Sequence, residues 1–257
     1  MLVKENWAAL QQYTPARVGL GRTGVSLPTV RHLEIQESLA LARDAVHANF
    51  EPDAIAAELR ALGLEAILCE SAAPDRSTYL RRPDLGRQLS PTSRAALQAL
   101  DGGPVDLAVV VADGLSAAAA QRHSAALLGA LKDLLPEASW RFGPVVLLRQ
   151  GRVAVGDEVG ALLGAQAVTV LIGERPGLSA ADSLGVYVTW APAIGRRDAE
   201  RNCISNIRSD GLSVADAARS LATLLDAART FGRTGDSLSQ ALSAGLRTGV
   251  GTLPSQG

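Results

Sequence analysis

The sequence predicts an α/β domain built on a doubly wound sheet, preceded by a mostly helical and irregular N-terminal region. Three observations support this fold class. Continuous rather than alternating apolar runs occur in the middle of the chain, which is typical of strands buried on both faces of a parallel sheet. Amphipathic segments with helical spacing follow these runs. The strands and helices then alternate, as they do in doubly wound α/β domains.

The first hundred residues give the weaker structural signals. Residues 1–35 contain two prolines and a glycine-rich stretch with little periodicity, which indicates an irregular arm. Residues 65–69 are short and apolar, and they fit either a strand or the end of a helix. Apolar spacing predicts three helices, the last of which has Ser90 as its N-cap: 36–47, 53–62 and 91–100.

From residue 101 the pattern is clearer. Residues 105–112 form a nearly continuous apolar run that ends in Asp113-Gly114, and a long amphipathic helix is expected from Ser116 to Leu135. A closing helix is expected from Leu212 to Thr230, with Ser213 as its N-cap. Four further strands and one short helix are predicted between these two helices: strands at 145–148, 151–155, 168–172 and 186–190, and a helix at 157–163.

These elements divide the chain into three predicted parts. Residues 1–100 form the N-terminal arm and helical region, and residues 101–232 form the domain built on the sheet. Residues 233–257 are rich in Gly, Ser and Thr, which predicts a flexible tail.

Composition excludes several classes of partner and site. The net charge is −1, so the chain lacks the excess of Lys and Arg on which nucleic-acid binding depends. Two Cys and three widely separated His are too few for a disulfide framework or a structural zinc site. No apolar run approaches the ~18 residues of a membrane span, and the first residues have no hydrophobic signal region. We therefore expect neither a nucleic-acid nor a membrane partner, and a cytoplasmic location.

A glycine-rich stretch, Gly19-Leu20-Gly21-Arg22-Thr23-Gly24, formally matches the dinucleotide fingerprint G-x-G-x-x-G. That motif requires a strand before it and a helix directly after it, whose amino end faces the pyrophosphate. Neither is predicted here, which favours a structural or partner-contacting loop. A non-catalytic nucleotide-binding module that uses residues 19–24 is kept as the alternative function, and the role of Arg22 stays open.

Polar residues follow three predicted strands, where ligands of open α/β sheets bind. Asp113 and Ser116 fit a ligand site, or equally a turn former and a helix N-cap. Glu174 lies between Gly173 and Arg175-Pro176-Gly177, where a carboxylate has little local structural role, which favours a ligand-facing acceptor. Cys203 lies in a polar stretch and fits either a small buried filler or a neighbour of the site, and fillers are the more common of the two.

Six segments in register resemble the small (light) subunit of ethanolamine ammonia-lyase, and they extend from residue 14 to residue 208. They are T-P-A-R-V-G-L-G-R-T-G-V-S-L-P-T at 14–29, A-R-D-A-V-H-A at 42–48, D-R-S-T-Y-L-R-R-P-D-L-G-R at 75–87, V-V-A-D-G-L-S-A at 110–117, L-I-G-E-R-P-G-L at 171–178 and E-R-N-C-I-S-N-I-R at 200–208.

The resemblance implies a subunit of an adenosylcobalamin-dependent lyase that converts ethanolamine to acetaldehyde and ammonia by radical chemistry. It implies a Rossmann-like domain that helps to hold the cobalamin, and a large subunit that binds most of the ethanolamine and is required for activity. Some relatives carry a longer N-terminal segment for solubility or for packaging in a bacterial microcompartment. Because the segment before Tyr13 is short, packaging of this chain stays open.

Three cobalamin contacts carry over by motif: Val153 in G-R-V, Glu174 in I-G-E-R-P-G and Cys203 in C-I-S-N. Cobalamin proteins that bind the cofactor base-off use Asp-x-His-x-x-Gly, whose His replaces the lower base. None of His32, His47 and His123 has Asp two residues before it and Gly three residues after it. We therefore expect base-on binding, with the cofactor's own dimethylbenzimidazole on cobalt.

Overall fold

The computed structural model describes residues 7–14, 16–136 and 139–249, and its centre is one six-stranded sheet of order β1-β3-β2-β4-β5-β6. The first four strands in this order are parallel; β5 is antiparallel to β4, and β6 is antiparallel to β5. The strands are β1 (Ala66–Glu70), β2 (Leu107–Ala112), β3 (Phe142–Arg149), β4 (Ala167–Gly173), β5 (Leu184–Trp190) and β6 (Asn202–Ile207).

Eight α-helices are present among the described residues, and three short 3-10 helices accompany them. The α-helices are α1 (Thr29–His47), α2 (Pro52–Ala61), α3 (Arg76–Arg81), α4 (Pro91–Gln98), α5 (Ala117–Leu134), α6 (Val155–Leu162), α7 (Val214–Phe231) and α8 (Asp236–Gly249). The 3-10 helices are Trp7–Gln12, Leu85–Arg87 and Asp198–Glu200. The α/β class and the helical N-terminal region are thereby confirmed.

The predicted caps and buried strands are confirmed. The hydroxyls of Ser90, Ser116 and Ser213 each accept a hydrogen bond from the backbone N–H three residues later, at the starts of α4, α5 and α7. Every residue of β2 and β4 is buried, which explains why their apolar runs are continuous. Gly232 ends α7 in the left-handed region, where glycine bears no Cβ penalty.

Helices cover both faces of the sheet. On one face α2, α5 and α7 bury a core that includes Leu59, Leu131 and Leu221. On the other face α4 and α6 cover β1, β2 and β4, with Val110 and Val159 in the core between them. The chain leaves β2 towards β3 on one side and leaves β4 towards β5 on the other side. The carboxyl ends of β2 and β4 therefore form the switch point of the sheet, where open α/β sheets bind ligands.

Several sequence-based boundaries differ from the structure. The predicted strand at 151–155 is wrong: these residues form a loop that turns into α6, because Gln150 adopts φ 60° and the Val155 N–H donates to the Arg152 carbonyl. The first helix begins at Thr29 rather than at 36. It has no buried residue, so it lacks the apolar periodicity that marks a packed helix.

Two α-helices and one strand of the described residues lie outside the sequence-based predictions. These are α3, β6, and α8 in the segment predicted as a flexible tail; residues 250–257 lie outside the described residues. Strand β1 precedes the predicted boundary at residue 100, yet it pairs with β3, so the sheet begins within the predicted N-terminal region. None of the described helices has the length and hydropathy of a membrane-spanning segment.

Candidate functional site

The switch point brings two loops into direct backbone contact. The N–H of Leu115 donates to the carbonyl of Gly173 across a distance of 2.9 Å. A Cβ at residue 173 would lie 2.6 Å from the Asp113 carbonyl oxygen and closer still to that of Ser116, so the approach requires glycine. The loops after β2 and β4 therefore form one continuous edge.

Asp113 is buried at this edge and joins β2 to the loop after β3. Its Oδ1 accepts hydrogen bonds from the backbone N–H groups of Gln150 at 2.7 Å and Gly151 at 3.3 Å. Its Oδ2 accepts one from Arg76 Nη1 at 3.3 Å. Burial raises the pKa of Asp113 to about 6, although Arg76 and the loop amides favour the charged form. Asp113 therefore not only forms a turn but also holds the loop after β3.

The loop of residues 150–154, called the β3–α6 loop below, is held by side chains and backbone on both sides. The Tyr79 hydroxyl donates to the Gly151 carbonyl at 3.0 Å, and the Arg152 N–H donates to the Gly86 carbonyl at 2.7 Å. The Arg152 guanidinium carbon lies 4.2 Å from the centre of the Tyr79 ring. These contacts fix the position of Val153, the next residue in the loop.

Glu174 follows β4 and links its loop to the end of β6. Its Oε2 accepts from the Ser183 hydroxyl at 2.5 Å and from the Asn206 N–H at 3.3 Å. Its own N–H donates to the Ser183 carbonyl at 2.9 Å. Both hydrogen bonds that the described residues donate to the carboxylate end on Oε2, so Oε1 can accept another. The role of Glu174 as a ligand-facing acceptor stays a prediction.

Cys203 lies on β6 and pairs with Tyr187 of β5. Both side chains face the same side of the sheet as α6, which covers the strands nearer the centre of the sheet. Cys203 is exposed, so the interpretation as a buried filler is wrong. Partial desolvation of the thiol by its neighbours raises the pKa of Cys203, and the nearby Tyr187 hydroxyl opposes this shift more weakly. Burial likewise raises the pKa of Tyr187, so both groups stay protonated at neutral pH.

Two adjoining cavities bring the predicted residues together. One, of about 270 Å³, is lined by Cys203 and Arg201, and the other, of about 400 Å³, by Glu174 and Tyr79. Arg152, Val153 and Tyr187 line both cavities. The structure therefore places Val153 between Glu174 and Cys203 on one concave surface, which we call the carboxyl-edge groove.

Arg201 forms the rigid floor of this groove and was missed by sequence reasoning. Its guanidinium binds both oxygens of Asp157, at 2.6 and 2.7 Å, and donates to Thr189 at 2.9 Å. The side chains of Arg201 and Asp157 are each 2% exposed. Tyr187 and Arg152 were also missed. No local signal marks them, because their position depends on contacts between distant segments.

The glycine-rich stretch 19–24 forms a loop with a tight turn. Thr23 and Ser26 exchange two backbone hydrogen bonds, and Gly19, Gly21 and Gly24 adopt positive φ. No strand precedes the stretch within residues 7–14 and 16–18, and α1 begins only at Thr29. The arrangement lacks the strand–turn–helix unit of dinucleotide sites. Arg22 is exposed on this loop and lines neither cavity of the carboxyl-edge groove.

A larger cavity of about 510 Å³ lies at the opposite, amino edge of the strands. It is lined by apolar side chains that include Leu97, Val105 and Leu163. None of the residues predicted from the sequence lies there.

Comparison with known proteins gives a consistent result. The family described as ethanolamine ammonia-lyase light chain (EutC) matches residues 4–239. A protein from Xanthomonas campestris pv. campestris (strain B100), called ethanolamine ammonia-lyase small subunit, is 56% identical over 225 residues, which cover 86% of this chain and 83% of the relative. Proteins of the same name from Azotobacter vinelandii (strain DJ) and Pseudomonas syringae pv. tomato (strain DC3000) are 56% and 54% identical over 222 residues, which cover 85% of this chain and 82% and 77% of the relatives. The chain belongs to the ethanolamine ammonia-lyase light chain family.

Proposed function

We propose that this chain is the small subunit of an adenosylcobalamin-dependent ethanolamine ammonia-lyase, and that its carboxyl-edge groove holds part of the cofactor. One observation carries the proposal. Val153, Glu174 and Cys203, which the family resemblance implies as cobalamin contacts, lie on adjoining cavities that share Val153 and Tyr187. These three residues are far apart in sequence, so it is the folding of the domain that brings them together.

The side chains of the groove fit the chemistry of a corrin. Val153 and the ring of Tyr187 offer apolar surface to the macrocycle, and Cys203 is small enough to let it approach the strand. Corrin rings carry amide side chains at their rim, and the free Oε1 of Glu174 can accept an N–H from one of them. The guanidinium of Arg152 can donate to an amide carbonyl at the same rim.

The size of the groove supports the proposal that a second subunit completes the cofactor site. Cavities of about 270 and 400 Å³ are much smaller than a cobalamin, so this chain covers only part of the cofactor. We propose that the large subunit encloses the remainder and binds most of the ethanolamine. This arrangement makes the enzyme active only as the assembled complex.

When bound, adenosylcobalamin supplies an organic radical that starts the conversion of ethanolamine to acetaldehyde and ammonia. The residues of this chain orient the cofactor and exclude water from its rim. We propose base-on binding, because none of the three His lies in the Asp-x-His-x-x-Gly motif. His123, the buried one, lies on α5 beside Asp182, outside both cavities.

The role of Glu174 is tested by cofactor binding in the complex of small and large subunits. Glu174→Ala should weaken adenosylcobalamin binding, measured by equilibrium dialysis in the dark, while the two subunits still elute together in size-exclusion chromatography. Asp236→Ala, which changes an acidic residue at the start of α8 outside both cavities, is the control. Unchanged affinity in the Glu174 variant would argue against the assigned contact.

Base-on binding is tested by electron paramagnetic resonance of the cob(II)alamin complex. With protein labelled by ¹⁵N in its histidines, the hyperfine splitting at cobalt should be unchanged, because the ligand nitrogen belongs to the cofactor. A change in splitting would show that a protein histidine is the lower ligand and would refute base-on binding.

A further inference from the structure

We propose that Asp113 is a positioning residue for cobalamin, which acts by fixing the β3–α6 loop so that Val153 faces the cofactor. The inference rests on the proposed function, because it assigns a role towards the cofactor that this function supplies. Asp113 itself lines neither cavity, so it is not expected to touch the cofactor.

Asp113 makes hydrogen bonds to the β3–α6 loop with one oxygen and to Arg76 with the other. Both N–H groups at the start of the loop, those of Gln150 and Gly151, end on its Oδ1. These are hydrogen bonds to a charged acceptor, which are shorter and stronger than those to a neutral one. Arg76 holds the other oxygen and also donates to the Gly114 carbonyl at 2.8 Å and to the Val46 carbonyl at 2.8 Å. The carboxylate is therefore fixed on one side and holds the loop on the other.

These bonds hold the loop in an uncommon backbone conformation. Gln150 has a φ of 60°, in the left-handed region that non-glycine residues rarely adopt. A Cβ at the next residue, Gly151, would lie 2.6 Å from Leu148 Cδ2 and 2.9 Å from Ala112 Cβ, so the loop packs directly on the ends of β2 and β3. Conformations of this kind persist only where their surroundings hold them, and they concentrate at functional sites.

The buried carboxylate of Asp113 is unfavourable in itself. Burial favours its neutral form more strongly than Arg76 and the amides favour the charged form. The titratable and charged groups that face it are Arg76 and Tyr79 from α3, and Arg152 stacks on the ring of Tyr79. The arrangement does not favour stability at neutral pH, so we assign to Asp113 the role of setting the geometry of the loop.

The experiment uses the assembled complex and compares two buried carboxylates. Asp113→Asn leaves one acceptor oxygen, which can serve either Arg76 or the loop amides, so the loop loses its fixed position. Glu158→Gln is the matched control: Glu158 is also buried, pairs with Arg94 at 2.5 Å and accepts the Leu89 N–H at 2.8 Å, but its carboxylate accepts no hydrogen bond from the β3–α6 loop. We expect adenosylcobalamin affinity to fall about tenfold in Asp113→Asn and to stay within about twofold of wild type in Glu158→Gln.

A pH profile and a second variant separate positioning from folding. Wild-type affinity should fall as the pH is lowered through about 6, where Asp113 becomes protonated, and this step should be absent in Asp113→Asn. Tyr79→Phe removes only the hydrogen bond to the Gly151 carbonyl and keeps the ring on which Arg152 stacks. It should weaken binding in the same direction, and it replaces Asp113→Asn if that variant does not fold.

The outcomes distinguish this inference from the proposed function. Val153→Trp fills the surface that both cavities share and tests the cofactor site directly. If Val153→Trp abolishes binding while Asp113→Asn and Tyr79→Phe bind as wild type does, the positioning role is refuted and the proposed function stands. If Val153→Trp also binds normally, the cofactor site lies elsewhere and the proposed function is wrong.

Discussion

The contact between the loops after β2 and β4 gives the sharpest structural prediction, because one added methyl group tests it. In Gly173→Ala the new Cβ would lie 2.6 Å from the Asp113 carbonyl oxygen and closer to that of Ser116, whereas real Cβ contacts do not fall below 3.0 Å. Both obstacles are backbone atoms, so no side-chain rotation relieves them. The backbone at the carboxyl ends of β2 and β4 would have to separate.

The expected cost follows from this geometry. Overpacking a rigid contact costs about 1–3 kcal/mol, and the smaller entropy of the unfolded alanine chain returns only about 0.4–1 kcal/mol. We therefore expect Gly173→Ala to lower the free energy of unfolding by about 2 kcal/mol, and the thermal midpoint by about 4–8 °C for a chain of this size.

The assay is urea unfolding followed by circular dichroism, with Gly177→Ala as the matched control in the same loop. A Cβ at residue 177 meets only the Ala180 carbonyl oxygen, at 3.9 Å, so this variant should stay within about 0.5 kcal/mol of wild type. If the two variants unfold at the same urea concentration, the close approach of the loops is refuted.

Three further predictions concern stability. Burial raises the pKa of Asp113 from 3.8 to about 6, so its contribution to stability is fully present below about pH 3.8 and is lost as the pH rises through 6. The free energy of unfolding of wild type relative to Asp113→Asn should therefore fall by up to about 3 kcal/mol between pH 4 and pH 7. A difference between the two proteins that stays constant across urea titrations at these pH values would contradict this. Leu59→Ala, on the buried face of α2, should lower the free energy of unfolding by about 2–5 kcal/mol in chemical denaturation. Leu41→Ala, on a helix with no buried residue, should lower it by less than about 0.5 kcal/mol. Arg201→Met leaves the carboxylate of Asp157 buried without its partner, and a loss of about 3–5 kcal/mol in the same assay is expected; a loss below about 1 kcal/mol would mean that the pair does not hold the floor of the groove.

Local signals predicted the parts of the fold that local chemistry decides. The continuous apolar run of β2 indicates burial on both faces whatever its neighbours are, and Ser116 can cap α5 without help from the rest of the chain. The strands at the centre of the sheet and the long helices α5 and α7 were therefore predicted within a few residues of their bounds. The central strands are buried on both faces, and each of the two helices buries one face against the sheet, so the apolar pattern is strong in all of them.

The elements that were missed have exposed faces or depend on distant contacts. β6 alternates between exposed and half-buried residues at the edge of the sheet, and its polar sequence resembles a loop. The segment 151–155 has the composition of a strand, but Asp113 and Gly86 hold its backbone in a loop. No reading of five residues reveals a constraint that comes from β2 and from the segment between α3 and α4.

The residues of the candidate site fall into the same two groups, those with a local signal and those whose position depends on distant contacts. Asp113 and Glu174 could be singled out from residues alone, because each follows a buried strand and ligands bind where such strands end. Val153 came only from the resemblance to a known family, and for Cys203 the residues alone left a buried filler and a neighbour of the site as alternatives. Their approach depends on the pairing of Cys203 with Tyr187, which joins an edge strand that the sequence did not predict.

The antiparallel end of the sheet explains why the groove exists. A parallel strand after β4 would need a crossover connection, usually a helix, and that helix would cover one face of the sheet. Here β4 is followed directly by an antiparallel β5 and then an antiparallel β6, and the two connections, residues 174–183 and 191–201, contain no α-helix. The face that carries Tyr187 and Cys203 therefore stays open beside the carboxyl ends of the parallel strands. A large flat cofactor on this surface would leave its other side exposed, and we propose that the large subunit covers that side.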